Sequence, residues 1–228
     1  RLLKPLESNS FLLLGPRGSG KTTLLRTFFE GRSTLWIDLL NPKVADTYTL
    51  SPETLAAEIR SASATLQWVI IDEVQKIPVL LDVVHQIIES KQIKFALTGS
   101  SARKLKRGGA NLLAGRAFVY HLHPFTHLEY GKEFSLEEAL AWGTLPKVGQ
   151  LTSTEEKERF LESYCHTYLK EVIVAEQLVR NVRPFRKFIE IAALQDGEVV
   201  NYAKISRDIG VDDKTVAAYF EILEDTLV

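Results

Sequence analysis

Residues 15–22 read Gly-Pro-Arg-Gly-Ser-Gly-Lys-Thr and follow directly on the apolar run Phe11–Leu14. Glycines at this spacing let the backbone curl until successive N–H groups point inward, and a helix starting at the lysine adds its positive end. Such a loop binds phosphate through backbone dipoles. The pattern Gly-x-x-x-x-Gly-Lys-Thr between a strand and a helix is that of a triphosphate-binding loop. Gly15, Pro16, Arg17, Gly18, Ser19 and Gly20 would cradle the phosphates, and Lys21 would reach the β- and γ-phosphates of ATP. Thr22 would place its hydroxyl on Mg²⁺, while Thr23 could contact the α-phosphate. A chance Gly-rich turn is the plain alternative, and the strand and helix context counts against it.

A second apolar run, Trp68–Ile71, ends in Asp72-Glu73. Asp72 would hold Mg²⁺ through its water shell, and Glu73, one position further, could accept a proton from an attacking water. Strands often end in acids without any function, but here a phosphate loop lies upstream. A later run ends Leu97-Thr98-Gly99-Ser100-Ser101 and leaves small hydroxyls at a sheet edge where ligands bind. If that strand lies between the other two, Thr98 or Ser100 could orient the water or sense the γ-phosphate; the residues do not choose between them, and capping of a turn is the plain reading of both. Arg103 or Arg116 could neutralise transition-state charge, in its own chain or a neighbour's, although basic runs such as Arg103–Arg107 are more often solvated helix faces.

Positioning these groups requires a parallel sheet. From residue 10 to about 122, short apolar runs (Phe11–Leu14, Leu35–Ile37, Trp68–Ile71, Phe95–Leu97 and Ala117–Leu122) alternate with helical patterns, the sign of an α/β fold with helices covering the sheet. Leu80, Val84, Ile87 and Ile88 fall on one face of a predicted helix. The character changes near residue 150. The expected division is a P-loop domain over 1–150 and an all-helical segment over 151–228.

In that tail, Phe185–Leu194, Tyr202–Ile209 and Asp213–Leu223 are predicted helices. Gly210-Val211-Asp212 between the last two gives helix-turn-helix spacing, with Asp212 or Asp213 as the cap. A DNA-binding reading would turn Lys214, Thr215 and Tyr219 toward a major groove. Charge opposes it: residues 185–228 hold five basic and nine acidic side chains, a net −4, and phosphate contacts supply most nonspecific affinity. A structural or protein-contact role is preferred, self-association included. Arg180 or Arg183 could reach back to the nucleotide, though exposed helix-end arginines are common.

GPRGSGKTTLL, WVIIDEVQKIP, FALTGSSARKL and GGANLLAGRA, in this order and spacing, resemble the prokaryotic AAA-like ATPases that carry a C-terminal domain of unknown function. The resemblance implies an AAA+-like core with strand order 5-1-4-3-2, followed by a winged-helix-like segment. It supports Lys21, Thr22, Asp72 and Glu73 in the roles above and points to Thr98–Ser101 as a sensor turn. It supplies no substrate beyond ATP.

The 228 residues carry 28 Lys+Arg against 29 Asp+Glu, so no overall field draws the molecule to nucleic acid or anionic lipid. A lone Cys165 excludes an internal disulfide and is read as a half-buried small apolar residue. No run approaches the roughly 18 apolar residues of a membrane span, and a cytoplasmic location is expected. His121, His123 and His127 cluster without the acids or cysteines of a metal site. The lack of any Met and the apolar end at Ile222–Val228 point to a fragment. The expected activity is Mg²⁺-dependent ATP hydrolysis that moves the helical tail; the alternative is a nucleotide-dependent switch for DNA or a partner protein, with little turnover. A GTPase or small-molecule kinase fits less well, because no Asn-Lys-x-Asp guanine signal is evident.

Overall fold

Ser10–Leu14 (β1) and Trp68–Asp72 (β3) are buried along their whole length, and Lys94–Gly99 (β4) is buried after its first residue. Continuous apolar runs of this kind belong to parallel strands covered on both faces. In the computed structural model, which describes residues 1–90, 93–100, 105, 113, 115–168, 179 and 181–226, these three form the centre of a five-stranded sheet. Thr34–Asp38 (β2) and Ala117–His121 (β5), which are less buried, form its edges. The order is β2-β3-β4-β1-β5, and every neighbouring pair is parallel. Read from the β5 edge, this is 5-1-4-3-2.

Register decides what meets at the carboxyl edge. Leu14 pairs with Gly99 on one side and His121 on the other, Ile71 with Leu97, and Asp72 with Asp38. The loop after β1, the acids ending β3 and the hydroxyls ending β4 therefore emerge side by side, with β4 between β1 and β3.

Lys21–Phe28 (α1) runs back along this sheet. Phe11, Leu13, Leu25, Phe29, Trp68, Ile70, Ala96 and Leu122 form one core cluster, in which Phe11 and Phe29 stack with ring centres 6.4 Å apart. Each fully buried side chain of this size stabilises the fold by about 1.5–3 kcal/mol. Helices Pro42–Leu50 (α2), Thr54–Ser61 (α3) and Leu80–Ser90 (α4) complete the layers. On α4, Leu80, Val84 and Ile87 are buried as the helical period predicts, and Leu81 joins them while Ile88 is only partly covered. Two short helices follow, His127–Tyr130 (α5), with a Thr126/Glu129 capping box, and Leu136–Trp142 (α6).

The chain divides into two compact units, Arg1–Leu151 and Thr152–Val228. The second contains Thr154–Thr167 (α7), Val182–Leu194 (α8), Tyr202–Ile209 (α9) and Asp213–Asp225 (α10). Helix α8 starts earlier than predicted, at Val182 after the Asn181 cap, because Pro184 lies in the first turn where no intrahelical donor is needed. Gly210 ends α9 in the left-handed region at φ 75°, and Asp212 caps α10 by accepting from Thr215 N at 2.8 Å. This is the expected helix-turn-helix; among the described residues the unit has no strand that would make a wing.

Two readings for this half are corrected, the first of them part of the disfavoured DNA-binding alternative. Tyr219 does not face outward: it packs edge-on against Phe185 at 4.9 Å in a core with Phe188, Ile205, Val216 and Ile222. Cys165 is exposed rather than half-buried. No helix among the described residues is long and apolar enough to cross a membrane.

Candidate functional site

The turn out of β1 is built for close backbone approach. A Cβ at Gly15 would stand 2.3 Å from the Leu122 carbonyl oxygen, so only glycine fits where the loop crosses the end of β5. Gly20, the N-cap of α1, is left-handed at φ 89°, and neither a capping side chain nor an acid in the first turn neutralises the helix's positive end. Ser19 is fully buried, and its Oγ has no hydrogen-bond partner among the described residues.

Lys21 is buried, with its Nζ donating to the carbonyls of Gly15 (2.8 Å) and Pro16 (3.1 Å) and standing 3.8 Å from Glu73 Oε1. Burial lowers its pKa from the usual lysine value, while Glu73 and Asp72 pull the other way. Thr22 Oγ1 donates to Asp72 Oδ2 at 2.7 Å. Thr98 Oγ1 donates to Asp72 Oδ1 and accepts from Glu73 N at 2.9 Å. Ser100 Oγ donates to Glu73 Oε2 at 2.8 Å.

Thr98 and Ser100 therefore take different places. Thr98 fixes Asp72 and the Glu73 backbone, whereas Ser100 touches the Glu73 carboxylate. Glu73 is the one non-glycine residue with positive φ among the described residues, at φ 60° and ψ 48°. This conformation costs about 1–2 kcal/mol for an L-residue, and it turns the carboxylate across the β3–β4 edge toward Lys21.

The sequence model of the AAA domain family matches residues 7–131, more than half of the chain. The chain belongs to the AAA domain family. A domain of unknown function (DUF8612) matches residues 133–228. Among solved structures, the Aeropyrum pernix ORC2 protein in its ADPNP-ADP complexes is similar with TM-score 0.51 and 13% identity, covering 96% of this chain and 80% of that one. The Aeropyrum pernix ORC1 protein in complex with DNA gives TM-score 0.47 and 12% identity, covering 98% and 78%. At 13% identity the likeness to the ORC2 protein concerns the fold alone. No curated protein matches the chain in sequence.

The boundary between the two family matches falls ahead of the boundary between the compact units. Residues 133–151 stay with the AAA domain: Phe125 N donates to Thr144 O at 2.9 Å, and the Phe134 ring stands 6.3 Å from Tyr130.

Of the predicted site residues, the AAA domain brings together the loop 15–22, Asp72, Glu73, Thr98 and Ser100, while Thr23 is exposed on α1. Arg116 is not among them. It precedes Ala117, which pairs with Ser10 at the start of β1, so the length of a strand, roughly 15 Å, separates it from the loop. Its guanidinium is paired with Glu89 at 2.5 Å, and it lines a cavity of about 630 Å³ at the strands' amino ends with Ser8, Gln67 and Lys94. A role for Arg116 on its own chain's nucleotide is therefore corrected. Arg103, Ser101 and Arg180 lie outside the described residues. Arg183 is in the first turn of α8, in the other unit. Among the described residues no group of His, Cys, Asp and Glu could hold a metal by itself, and His121 and His123 only stack, 6.2 Å apart.

Two residues at the site were not anticipated. Arg1 donates to the Ser19 carbonyl, pairs with Glu129 at 3.0 Å and lies over the Phe125 ring at 4.0 Å. Gln75, buried at 2% exposure, donates from Nε2 to Glu73 Oε2 at 2.5 Å and Ser100 Oγ at 2.9 Å. The polar pair Gln75-Lys76, set between apolar Val74 and Ile77 just after the two acids, was the available signal for Gln75.

Proposed function

We propose that this AAA domain binds Mg²⁺-ATP at Gly15–Thr23 and hydrolyses it with Glu73 as general base. One observation carries the reading: a buried lysine, a hydroxyl–carboxylate pair and a second carboxylate converge at one end of one sheet, within hydrogen-bonding or ion-pair reach of each other. The donor set fits the ligand. Uncapped amides at the start of α1, the unpartnered Ser19 hydroxyl and Lys21 are donors without a competing acid in the loop, as a polyphosphate requires. Thr22 and Asp72 offer two hard oxygens side by side, the ligand type Mg²⁺ takes.

Lys21 would hold the terminal phosphates, and Thr22 with Asp72 would hold the cation. When bound, Mg²⁺ would neutralise charge on the phosphate oxygens. Thr98 keeps Asp72 in place and supports the Glu73 backbone. Glu73 would take the proton of the attacking water on Oε1, its Oε2 being occupied by Ser100 and Gln75. Adenine rather than guanine is favoured by the missing Asn-Lys-x-Asp pattern and by the adenine nucleotides in the ORC2 complexes. Coupling of turnover to movement of the helical unit belongs to the same proposal, as does a protein rather than DNA contact for α8–α10.

Turnover assays on Lys21→Ala and Glu73→Gln chains test the reading: both are expected to lose hydrolysis, and full activity in either removes the role given to it. A nucleotide-dependent switch with little turnover uses the same loop, and is favoured if wild type and Glu73→Gln bind ATP alike and neither releases phosphate.

A further inference from the structure

The end of β3 holds more machinery than the acid pair. After Asp72 the chain enters the left-handed region at Glu73 and then makes a single 3-10 turn, Val74–Lys76, closed by Lys76 N to Glu73 O at 3.0 Å. That turn folds Gln75 back over Glu73. The two Nε2 hydrogens of Gln75 are both used, one on Glu73 Oε2 and one on Ser100 Oγ, while the Ser100 hydroxyl gives its own hydrogen to the same Glu73 oxygen. The three side chains close a ring.

The ring has directional consequences. Oε2 of Glu73 receives two hydrogen bonds, and Oε1 is left toward Lys21, 3.8 Å away. The contact with Glu73 Oε2 also fixes which way the Gln75 amide points, because only its NH₂ side can donate there. Room for that oxygen comes from Gly99, where an added Cβ would stand 3.2 Å from Gln75 Oε1. Apolar Val74 and Ile77 bury the turn on either side, so the amide is held by packing as well as by hydrogen bonds.

We propose that Gln75 is a positioning residue which, with Ser100, clamps one oxygen of Glu73 so that the other is presented to the attacking water. The inference rests on the reading of Glu73 as general base. It assigns Gln75 no contact with nucleotide, so its loss affects turnover and leaves binding intact. A residue that served only to fill the core would not separate the two.

The test uses the full chain. In a ¹H–¹⁵N spectrum, the Gln75 side-chain amide pair is identified by its disappearance in Gln75→Met, a substitution of similar shape without the donors. Its hydrogens are expected to exchange with solvent about tenfold more slowly than those of exposed glutamines, and Glu73→Ala is expected to release them. In steady-state hydrolysis, Gln75→Met is expected to lower kcat about tenfold with KM for ATP within about twofold, and Gln75→Met with Ser100→Ala to cost less than the product of the two. If Gln75→Met does not fold, Ser100→Ala carries the same kcat and KM expectation. Wild-type kcat in Gln75→Met beside an inactive Glu73→Gln overturns the clamp and leaves the base standing. A fully active Glu73→Gln removes the base instead; amide exchange then decides whether the ring exists, and rapid exchange overturns it.

Discussion

Thr22 Oγ1 donates a 2.7 Å hydrogen bond to Asp72 Oδ2, joining the first turn of α1 to the end of β3. This pair is where the phosphate loop and the acid strand become one site. Replacing Thr22 by Val keeps the shape and deletes the hydroxyl, leaving Asp72 short of one donor. Stability is expected to fall by about 1 kcal/mol, and the gain in ATP affinity on adding Mg²⁺ to shrink by about tenfold. Nucleotide titrations with Mg²⁺ and with a chelator check this; an undiminished Mg²⁺ effect contradicts the assignment.

The left-handed backbone of Glu73 can be tested apart from its carboxylate. Glu73→Gly and Glu73→Ala both lose the acid, but only glycine accepts φ 60° without strain. The Gly variant is expected to be more stable than the Ala variant by about 1 kcal/mol, measured by urea unfolding. Equal stabilities would show that the turn relaxes and holds no strain.

Lys21 gives a pH dependence whose sign is determined. Burial lowers its pKa below the ordinary 10.5. The folded chain therefore gives up this proton before the unfolded chain does, and the group's contribution to stability improves as pH rises through the window between its lowered value and 10.5. A bound polyphosphate favours the charged form, so ATP binding in that window is expected to take up a proton. Calorimetry at alkaline pH in two buffers of different ionisation enthalpy measures the uptake, which Lys21→Met is expected to abolish.

In the second unit, Phe188 is fully buried among Phe185, Tyr219 and Phe220. Phe188→Ala is expected to cost about 3–5 kcal/mol of that unit's stability. A loss under about 1 kcal/mol would mean that this core is not packed as described.

The chemistry-bearing residues of the loop and of Asp72-Glu73 were legible because each motif sits between apolar runs whose length fixes strand and helix. The placing of Thr98 and Ser100 at the same edge followed once their strand was read as part of that sheet. What stayed hidden depends on geometry that no local pattern encodes. Gln75 reaches Glu73 only because Glu73 turns left-handed, and nothing in the side chain of a glutamate announces that. Arg116 looked equivalent to any arginine near a sheet edge; only the pairing of Ala117 with Ser10 shows that it is the wrong edge. Tyr219 lies on an acidic helix whose apolar face could have been read either way until Phe185 and Phe188 met it.

If the loop after β1 binds a nucleotide's phosphates, isothermal titration of the folded chain with Mg²⁺-ATP will register it. Saturable heat is expected at one nucleotide per chain, with Kd in about the 1 μM to 1 mM range that enzyme KM values span, and it is expected to disappear in Lys21→Ala. A folded wild-type chain that gives no heat, or a Lys21→Ala chain that binds as tightly as wild type, would contradict phosphate binding by this loop.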